Sequence, residues 1–444
     1  MLTSQTIGLI VHIPKHIIVA FSAWGGRLVT VFVQFYSIKI LLDLLGTDGY
    51  AVFTVMASLL GWFMLADFGI GYSLQNRISD RRVKNQEYQD LIFIATVAVV
   101  PLLILFLLLI YFTTPLLSEF LLSDFSFLND ELRIEILQLT SLIFLTTSIG
   151  NISFKIWFAE HKGWIPNIIP ALSSILGLIL LFGITSTDSN LARIIIVTIK
   201  YFYLPAAVIA IFSFLLKMIP SLKYYNLFTK ENFYLLLING GGFFIFSFLS
   251  ALVLQVDYII MSKTLIGKDV VIYNIMSKIF GLVNFIYAAL LQSLWPVCAE
   301  ASSRGRISDL LKIAKRYIFF GFMIVLFSAI FVFLLKDLIL KLLAANQGLE
   351  FSLILIVLFS IYHLLRIWTD TYAMFLLSAG KLKPLWISVP FQAFLSIILQ
   401  WYGAVNYGLA GLIGGLILSF LLTVVWWLPL CFIRLVKNNK IGSI

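Results

Sequence analysis

The segment LIFIATVAVVPLLILFLLLIYF, Leu91 to Phe112, carries no charged residue and only one polar hydroxyl, Thr96, before its final tyrosine. At 1.5 Å of rise per residue, a helix needs about 20 apolar residues to cross a hydrocarbon core of roughly 30 Å. The segment meets that length, so its reading is a membrane-spanning helix. The rest of the chain repeats the theme. It has 444 residues, 61% of them hydrophobic and 12% charged, with 40 phenylalanines, and a mean hydropathy of +1.03. Soluble domains are roughly half apolar and a quarter charged. So few charges could not cover a surface facing water, and a bilayer is the natural solvent for the excess.

Working outward from Leu91 with the same length criterion predicts an all-α polytopic membrane protein of about twelve transmembrane helices. The spans fall near 25–45, 50–72, 91–112, 135–158, 165–184, 192–216, 232–256, 270–297, 312–335, 351–376, 384–403 and 408–433. The first two are joined by a very short Gly-Thr-Asp-Gly turn, Gly46 to Gly49.

Positive charge fixes the expected orientation. With the N-terminus in the cytoplasm, twenty-one Lys and Arg residues fall in cytoplasmic segments, among them Arg77, Arg81, Arg82, Lys84, Lys155, Lys162 and Arg434. Six fall outside: Arg133, Arg193, Lys263, Lys268, Lys336 and Lys341. Basic residues resist translocation, so this bias places both termini in the cytoplasm. The outer segments carry acids such as Asp48, Asp124, Asp130 and Asp188. Nucleic acid is excluded as a partner despite the net charge of +10, because the basic residues form no single stripe. Cys298 and Cys431 lie near expected cytoplasmic helix ends and imply no disulfide framework. No cleavage site precedes the first span, so residues 1–23 read as a cytoplasmic lead-in.

A weak internal repeat divides the chain. At an offset of 221, Gln34, Ile38, Leu44, Leu45, Gly46 and Asp48 match Gln255, Ile259, Leu265, Ile266, Gly267 and Asp269. The offset maps six helices onto six in the same orientation, a parallel repeat. It gives an N-terminal six-helix bundle over 24–216, a cytoplasmic linker over 217–231 with Pro220, and a C-terminal bundle with a basic tail over 232–444.

No catalytic set, Walker loop or His-rich metal cluster is legible, so the expectation is a transporter without cofactor, not an enzyme. What stands out is charge inside spans: Lys39, Lys200, Lys278 and Arg366, with Asp67, Asp257 and Asp370 nearer span ends. A cation at the bilayer centre costs at least ~2.5–3.5 kcal/mol on insertion scales. Basic residues in four different helices point to a shared, water-filled cavity that receives an anion. Competing roles are visible for each. Lys39 and Lys200 are placed to snorkel to the outer surface. Arg366 has Asp370 one helical turn on and His363 nearby. Asp257 sits where it could be solvated, and Asp67 where it could pair with Arg77 or Arg27. Asp67 and Asp257 are also the candidate carboxylates for coupling to a proton or sodium gradient.

The stretches Val253-Leu254-Gln255-Val256-Asp257-Tyr258, Lys278-Ile279-Phe280-Gly281-Leu282 with Tyr273 before them, and Leu294-Trp295-Pro296 resemble the O-antigen-unit flippases of Gram-negative bacteria. So do Ala66-Asp67-Phe68-Gly69-Ile70-Gly71, Gln75-Asn76, and Arg366-Ile367-Trp368 through Asp370-Thr371-Tyr372. These flippases belong to the multidrug/oligosaccharidyl-lipid/polysaccharide exporter superfamily. The resemblance implies two six-helix bundles around a central cavity in the inner membrane. It also implies transfer of an undecaprenyl-diphosphate-linked oligosaccharide to the periplasmic leaflet. Cavity cations attract the diphosphate in such proteins; Lys278 and Arg366 lie within the family-like motifs, while Lys39 and Lys200 rest on the charge argument alone. Under the resemblance, an O-antigen polymerase and a chain-length regulator are the candidate protein partners. A multidrug/cation antiporter of the same fold is the alternative, and would place acids rather than bases in its cavity.

Overall fold

The computed structural model describes residues 15–184, 190–303, 307–344 and 347–441. His12, most of the expected lead-in, the outer Asp188 and the basic pair Arg304 and Arg306 lie outside these ranges. The described residues form helices and turns, with no strand among them. The first half of the chain contains α1 (Lys15–Phe63), α2 (Ile70–Val83), α3 (Gln89–Leu122), α4 (Asp130–Gly150), α5 (Ile152–Ala159), α6 (Trp164–Phe182) and α7 (Leu191–Ser221). A 3-10 turn over Leu222–Leu227 leads to the second half. There follow α8 (Lys230–Leu254), α9 (Val256–Thr264), α10 (Gly267–Ser303), α11 (Ile307–Ala344), α12 (Leu353–Ser378), α13 (Lys383–Leu422) and α14 (Val424–Ile441).

Local chemistry sets several boundaries. Helix starts leave backbone N–H groups unpaired, and short polar side chains accept from them. Asn129 accepts from Leu132 N at 2.9 Å, and Asn190 from Ala192 N at 3.0 Å. Thr229 and Ser352 cap α8 and α12 in the same way.

Ten helical runs among the described residues are long and apolar enough to cross a membrane. The chain is a multi-pass membrane protein. Two pairs of expected spans fall on single runs: 25–45 with 50–72 on one of 43 residues that ends at Phe63, before the turn over 64–69 that cuts the second span short, and 384–403 with 408–433 on one of 55 residues. A residue with positive φ parts each pair: Gly46 (φ 64°) and Gly408 (φ 61°). At Gly408 the helix folds back on itself. A Cβ on Gly403 would lie 2.1 Å from the Gly411 carbonyl oxygen, and one on Gly415 would lie 2.2 Å from that of Leu399. These pairings are symmetric about the turn, as two antiparallel arms in backbone contact require. The small residues let the arms approach as closely as membrane helices do.

Three buried cores hold the helices together. One draws only on residues between Ala66 and Leu236, a second only on residues between Val253 and Val436, and the third takes residues from both halves. Large apolar side chains on the outside remain uncovered, such as Leu105, Leu108 and Phe112 on α3 and Phe327 and Leu334 on α11. In a bilayer these face acyl chains, which accept them without cost. The repeat-equivalent turns at Gly46 and Gly267 lie at one end of the molecule and touch there: a Cβ on Gly267 would be 2.5 Å from Asp48 Oδ1.

The neighbouring glycines Gly414 and Gly415 offer a controlled test of the α13 hairpin. A Cβ on Gly414 meets nothing within 4 Å. Gly415→Ala should therefore destabilise the detergent-solubilised protein by about 1–3 kcal/mol, as overpacking does. Gly414→Ala should leave the thermal melting curve in place. Equal melting of the two variants would contradict the hairpin contact.

Candidate functional site

Three adjoining cavities run through the interior. The first, about 550 Å³, lies among α1, α4, α6 and α7. It presents hydroxyls and amides (Thr30, Gln34, Ser37, Ser174, Asn151) beside the rings of Phe202 and Tyr203. Lys278 of α10 reaches into it from the other half of the chain. The second, about 360 Å³, lies between the halves, with Asp67, Tyr72, Ser148, Asn151 and Lys155 on one wall and Ser247, Ser250 and Gln255 on the other. The third, about 200 Å³, lies within the second half, among α8, α12, α13 and α14, and includes Arg366 and Asp370. Met64 and Asn151 belong to both the first and second cavities. Phe246, Ser250 and Leu254 belong to both the second and third. The cavities are therefore neighbours, each with one basic side chain in its wall.

The three cations differ in how they are paired. Arg366 donates to Asp370 Oδ2 at 3.2 and 3.3 Å and to the Tyr362 hydroxyl at 3.1 Å. The i, i+4 spacing legible in the sequence thus forms an ion pair that offsets most of the guanidinium charge. His363 does not join it; its Nδ1 contacts the Phe359 carbonyl oxygen at 2.8 Å and the ring is buried. Lys155 rests its ammonium over the Tyr72 ring, 3.7 Å from the centroid, a cation–π contact. Neither Lys155 nor Lys278 has an acidic partner within 4.0 Å among the described residues. Asp67 is near Lys155 but turned to the backbone. It accepts from Gly69 N at 2.9 Å and Gly71 N at 3.0 Å, holding the turn that starts α2.

Lys39 and Lys200 depart from the shared-vestibule expectation. Both side chains are exposed, and neither lines these three chambers. At such exposed positions long side chains can snorkel to a headgroup region. Asp257 also differs from the solvated alternative. It is buried, with its carboxylate accepting from the Tyr273 hydroxyl and from Tyr258 N at 2.9 Å.

Lys155 is the cavity residue that sequence reading missed, because its charge was counted with the cytoplasmic segments. The helical run breaks between α4 and α5 at Asn151. Gly150 is pressed there against Ala210, whose backbone carbon would lie 2.3 Å from an added Cβ. Asn151 keeps helical dihedrals (φ -66°, ψ -12°), and Lys155, one turn further on, lines the second chamber. Only the adjacent Gly150-Asn151 pair hints at the break in the sequence.

The two halves meet at both ends of this chamber series. At the end bearing Gly46, the Tyr50 hydroxyl donates to Asn274 Oδ1 at 2.9 Å, and Asn274 Nδ2 donates to the Tyr258 hydroxyl at 2.9 Å. There too Lys263 donates to Ser123 Oγ at 2.6 Å and pairs with Asp124 at 3.4 Å. At the opposite end, Arg77 donates to the Asn232 carbonyl at 2.9 Å and to its side-chain oxygen at 2.6 Å. Beside it the Gly69 turn (φ 73°) lies so close to the Gly240 carbonyl that a Cβ would be 2.3 Å from that oxygen.

No family model matches the chain. A protein of Yersinia pseudotuberculosis named "Putative O-antigen export protein" is 62% identical over 436 residues, covering 97% of this chain and 100% of the relative. A Salmonella typhi protein named "Putative O-antigen transporter" is 39% identical over 431 residues, covering 95% of this chain and 97% of the relative. Among solved structures, an inward-facing multidrug resistance MATE family transporter of the MOP superfamily superposes with a TM-score of 0.70 at 14% identity, covering 93% of this chain and 96% of the other. The lipid II flippase MurJ in an inward closed conformation gives 0.69 at 17%, covering 96% and 91%. At such low identity these two share the fold.

Since Asp67 holds the turn entering α2 through two charge-assisted bonds, its removal should be felt in stability. Asp67→Ala is expected to cost about 2 kcal/mol, read as a lowered melting temperature. Asp67→Asn, which keeps one acceptor oxygen, should cost clearly less. Unchanged melting of the alanine variant would contradict this anchoring role.

Proposed function

The chain belongs to the O-antigen transporter family, and from that premise we propose that it flips a lipid-linked O-antigen repeat unit across the bacterial inner membrane. The observation that carries the reading is the pair of ammonium groups, Lys155 and Lys278, with no carboxylate within 4.0 Å among the described residues, on adjoining chambers that share Asn151 and Met64. The substrate in this reading is an undecaprenyl-diphosphate-linked oligosaccharide. Its diphosphate and sugar hydroxyls cannot enter hydrocarbon without losing several kcal/mol per unpaired group. The chambers substitute for water. The ammonium groups meet the phosphate oxygens with charge-assisted hydrogen bonds. The hydroxyls, amides and rings of the first chamber suit the glycan.

The halves on either side of the linker 217–231 then act as the moving bodies of alternating access. The contacts at the Gly46 end and at the Gly69 end would break in turn, exposing the chambers first to the cytoplasmic leaflet and then to the periplasmic one. Moving a headgroup of charge about −2 outward, with the interior negative, gains up to ~4.6 kcal/mol per 100 mV, at 2.3 per charge. Cationic side chains that move with it would reduce that gain. Of the acids, Asp257, buried between Tyr258 and Tyr273, is the candidate for coupling to a proton or sodium ion. Arg366 contributes as an ion-paired wall of the third chamber. A polymerase and a chain-length regulator would receive the product on the far side.

The test is O-antigen display on cells that make normal amounts of each variant. Lys155→Ala and Lys278→Ala should each lower display by about tenfold or more, the worth of one charge-assisted bond to phosphate. Arginine at either position should restore much of it. Lys39→Ala and Lys200→Ala should remain close to the natural protein. Full display from a Lys155→Ala/Lys278→Ala double variant would overturn the cationic-chamber reading.

A further inference from the structure

The Lys155 ammonium is held by α2. Its stem passes Gly71, where an added Cβ would lie 3.1 Å from Lys155 Cγ, and its Nζ stands 3.7 Å from the centroid of the Tyr72 ring. Lysine is long and flexible, and it loses rotamer freedom when its charge is put to use. A ring at this distance fixes the ammonium without neutralising it as a carboxylate would. The ring takes one side of a group with three N–H donors. The other sides stay available to an acceptor in the second chamber, which Lys155 and Tyr72 both line.

Tyr72 is in turn placed from across the seam. Its ring stacks with that of Phe243 on α8, with centroids 5.6 Å apart and planes 29° apart. Phe243 lines none of the three chambers. It is seated by the backbone contact between the halves: a Cβ on Gly69 would lie 2.3 Å from the Gly240 carbonyl oxygen and 3.0 Å from Phe243 Cβ. Lys155, Tyr72 and Phe243 thus run in unbroken contact from the headgroup site to the closure at the Gly69 end. Resting on the flippase reading above, we infer that Tyr72 is the positioning residue for Lys155 and that Phe243 sets it from the other half, so that Lys155 takes phosphate at full strength only while the Gly69 end is closed. An ammonium ordered beforehand binds at lower cost. Linkage makes the effect reciprocal: an anion that prefers the closed arrangement draws that end shut behind itself. Capture of the headgroup and closure of the end are tied through one aromatic ring.

The experiment measures the affinity of the full-length protein in nanodiscs for inorganic diphosphate, with folding checked by thermal melting. Tyr72→Leu should weaken binding about three- to tenfold, the cost of ordering one free lysine side chain. Tyr72→Phe, which keeps the ring, should recover most of that loss. Phe243→Ala should weaken binding about threefold in the natural background and add nothing in the Tyr72→Leu background, the signature of residues that act through one another. Phe243→Leu removes the ring and keeps apolar bulk, and it decides the matter if the alanine variant does not fold. Unchanged affinity in the folded Phe243 variants, or an equal loss in both backgrounds, would overturn the assignment. So would tighter binding by Tyr72→Leu, which would make the ring a competitor of phosphate. Failure of the cationic-chamber reading looks different: Lys155→Ala/Lys278→Ala would then leave diphosphate affinity unchanged, whereas failure of the positioning role alone leaves that double variant weakened.

Discussion

Hydrocarbon offers no hydrogen bonds, and every polar group carried into a bilayer must find its partners in protein or in water. That constraint organises this molecule. Its helices satisfy their own backbones, and their outer faces are covered by leucine and phenylalanine. Along the inner seam, Asn151, Gln255, Lys155 and Lys278 line neighbouring chambers. A surface that would be expensive against acyl chains becomes a replacement for water around a headgroup that must cross.

The same economy shapes the ends of the seam. The halves share one of the three apolar cores, and at their ends small sets of directional contacts also join them. Tyr50, Asn274 and Tyr258 form one chain, Lys263 with Ser123 and Asp124 another, and Arg77 with Asn232 a third. Each such bond contributes little net stability when water can replace it. Contacts of this kind close an end without locking it, which is what a carrier that exposes its interior alternately needs. Tight backbone crossings occur both within one half, at Gly403, Gly411 and Gly415, and between the halves, where Gly69 meets Gly240.

Much of this was legible in the residues. Apolar runs of membrane length marked the spans, and the i, i+4 spacing of Arg366 and Asp370 announced the ion pair that neutralises the arginine. The 221-residue repeat pointed to turns that do meet at one end, Gly46 beside Gly267. What was hidden depended on contacts distant in sequence. Lys155 looked like a cytoplasmic loop charge because nothing local reveals that its side chain meets Tyr72 of α2 across the second chamber. The burial of Asp257 was hidden because its partner, Tyr273, returns only after the chain has turned at Gly267. Lys39 and Lys200 looked like cavity cations because span position gives depth, whereas the facing direction of a helix depends on its neighbours.

The central claim is that the seam holds water and takes up the substrate headgroup. Its most direct measurement is the reactivity of a cysteine at Asn151, the residue shared by two chambers, in a Cys298→Ser/Cys431→Ser background, towards a charged, membrane-impermeant methanethiosulfonate reagent. A cysteine at Leu105, on the outer face of α3, serves as the lipid-facing reference. The expected result is much faster labelling at 151 than at 105, with protection at 151 when lipid-linked oligosaccharide is added. Labelling at 151 as slow as at 105, or unaffected by that substrate, would contradict the account.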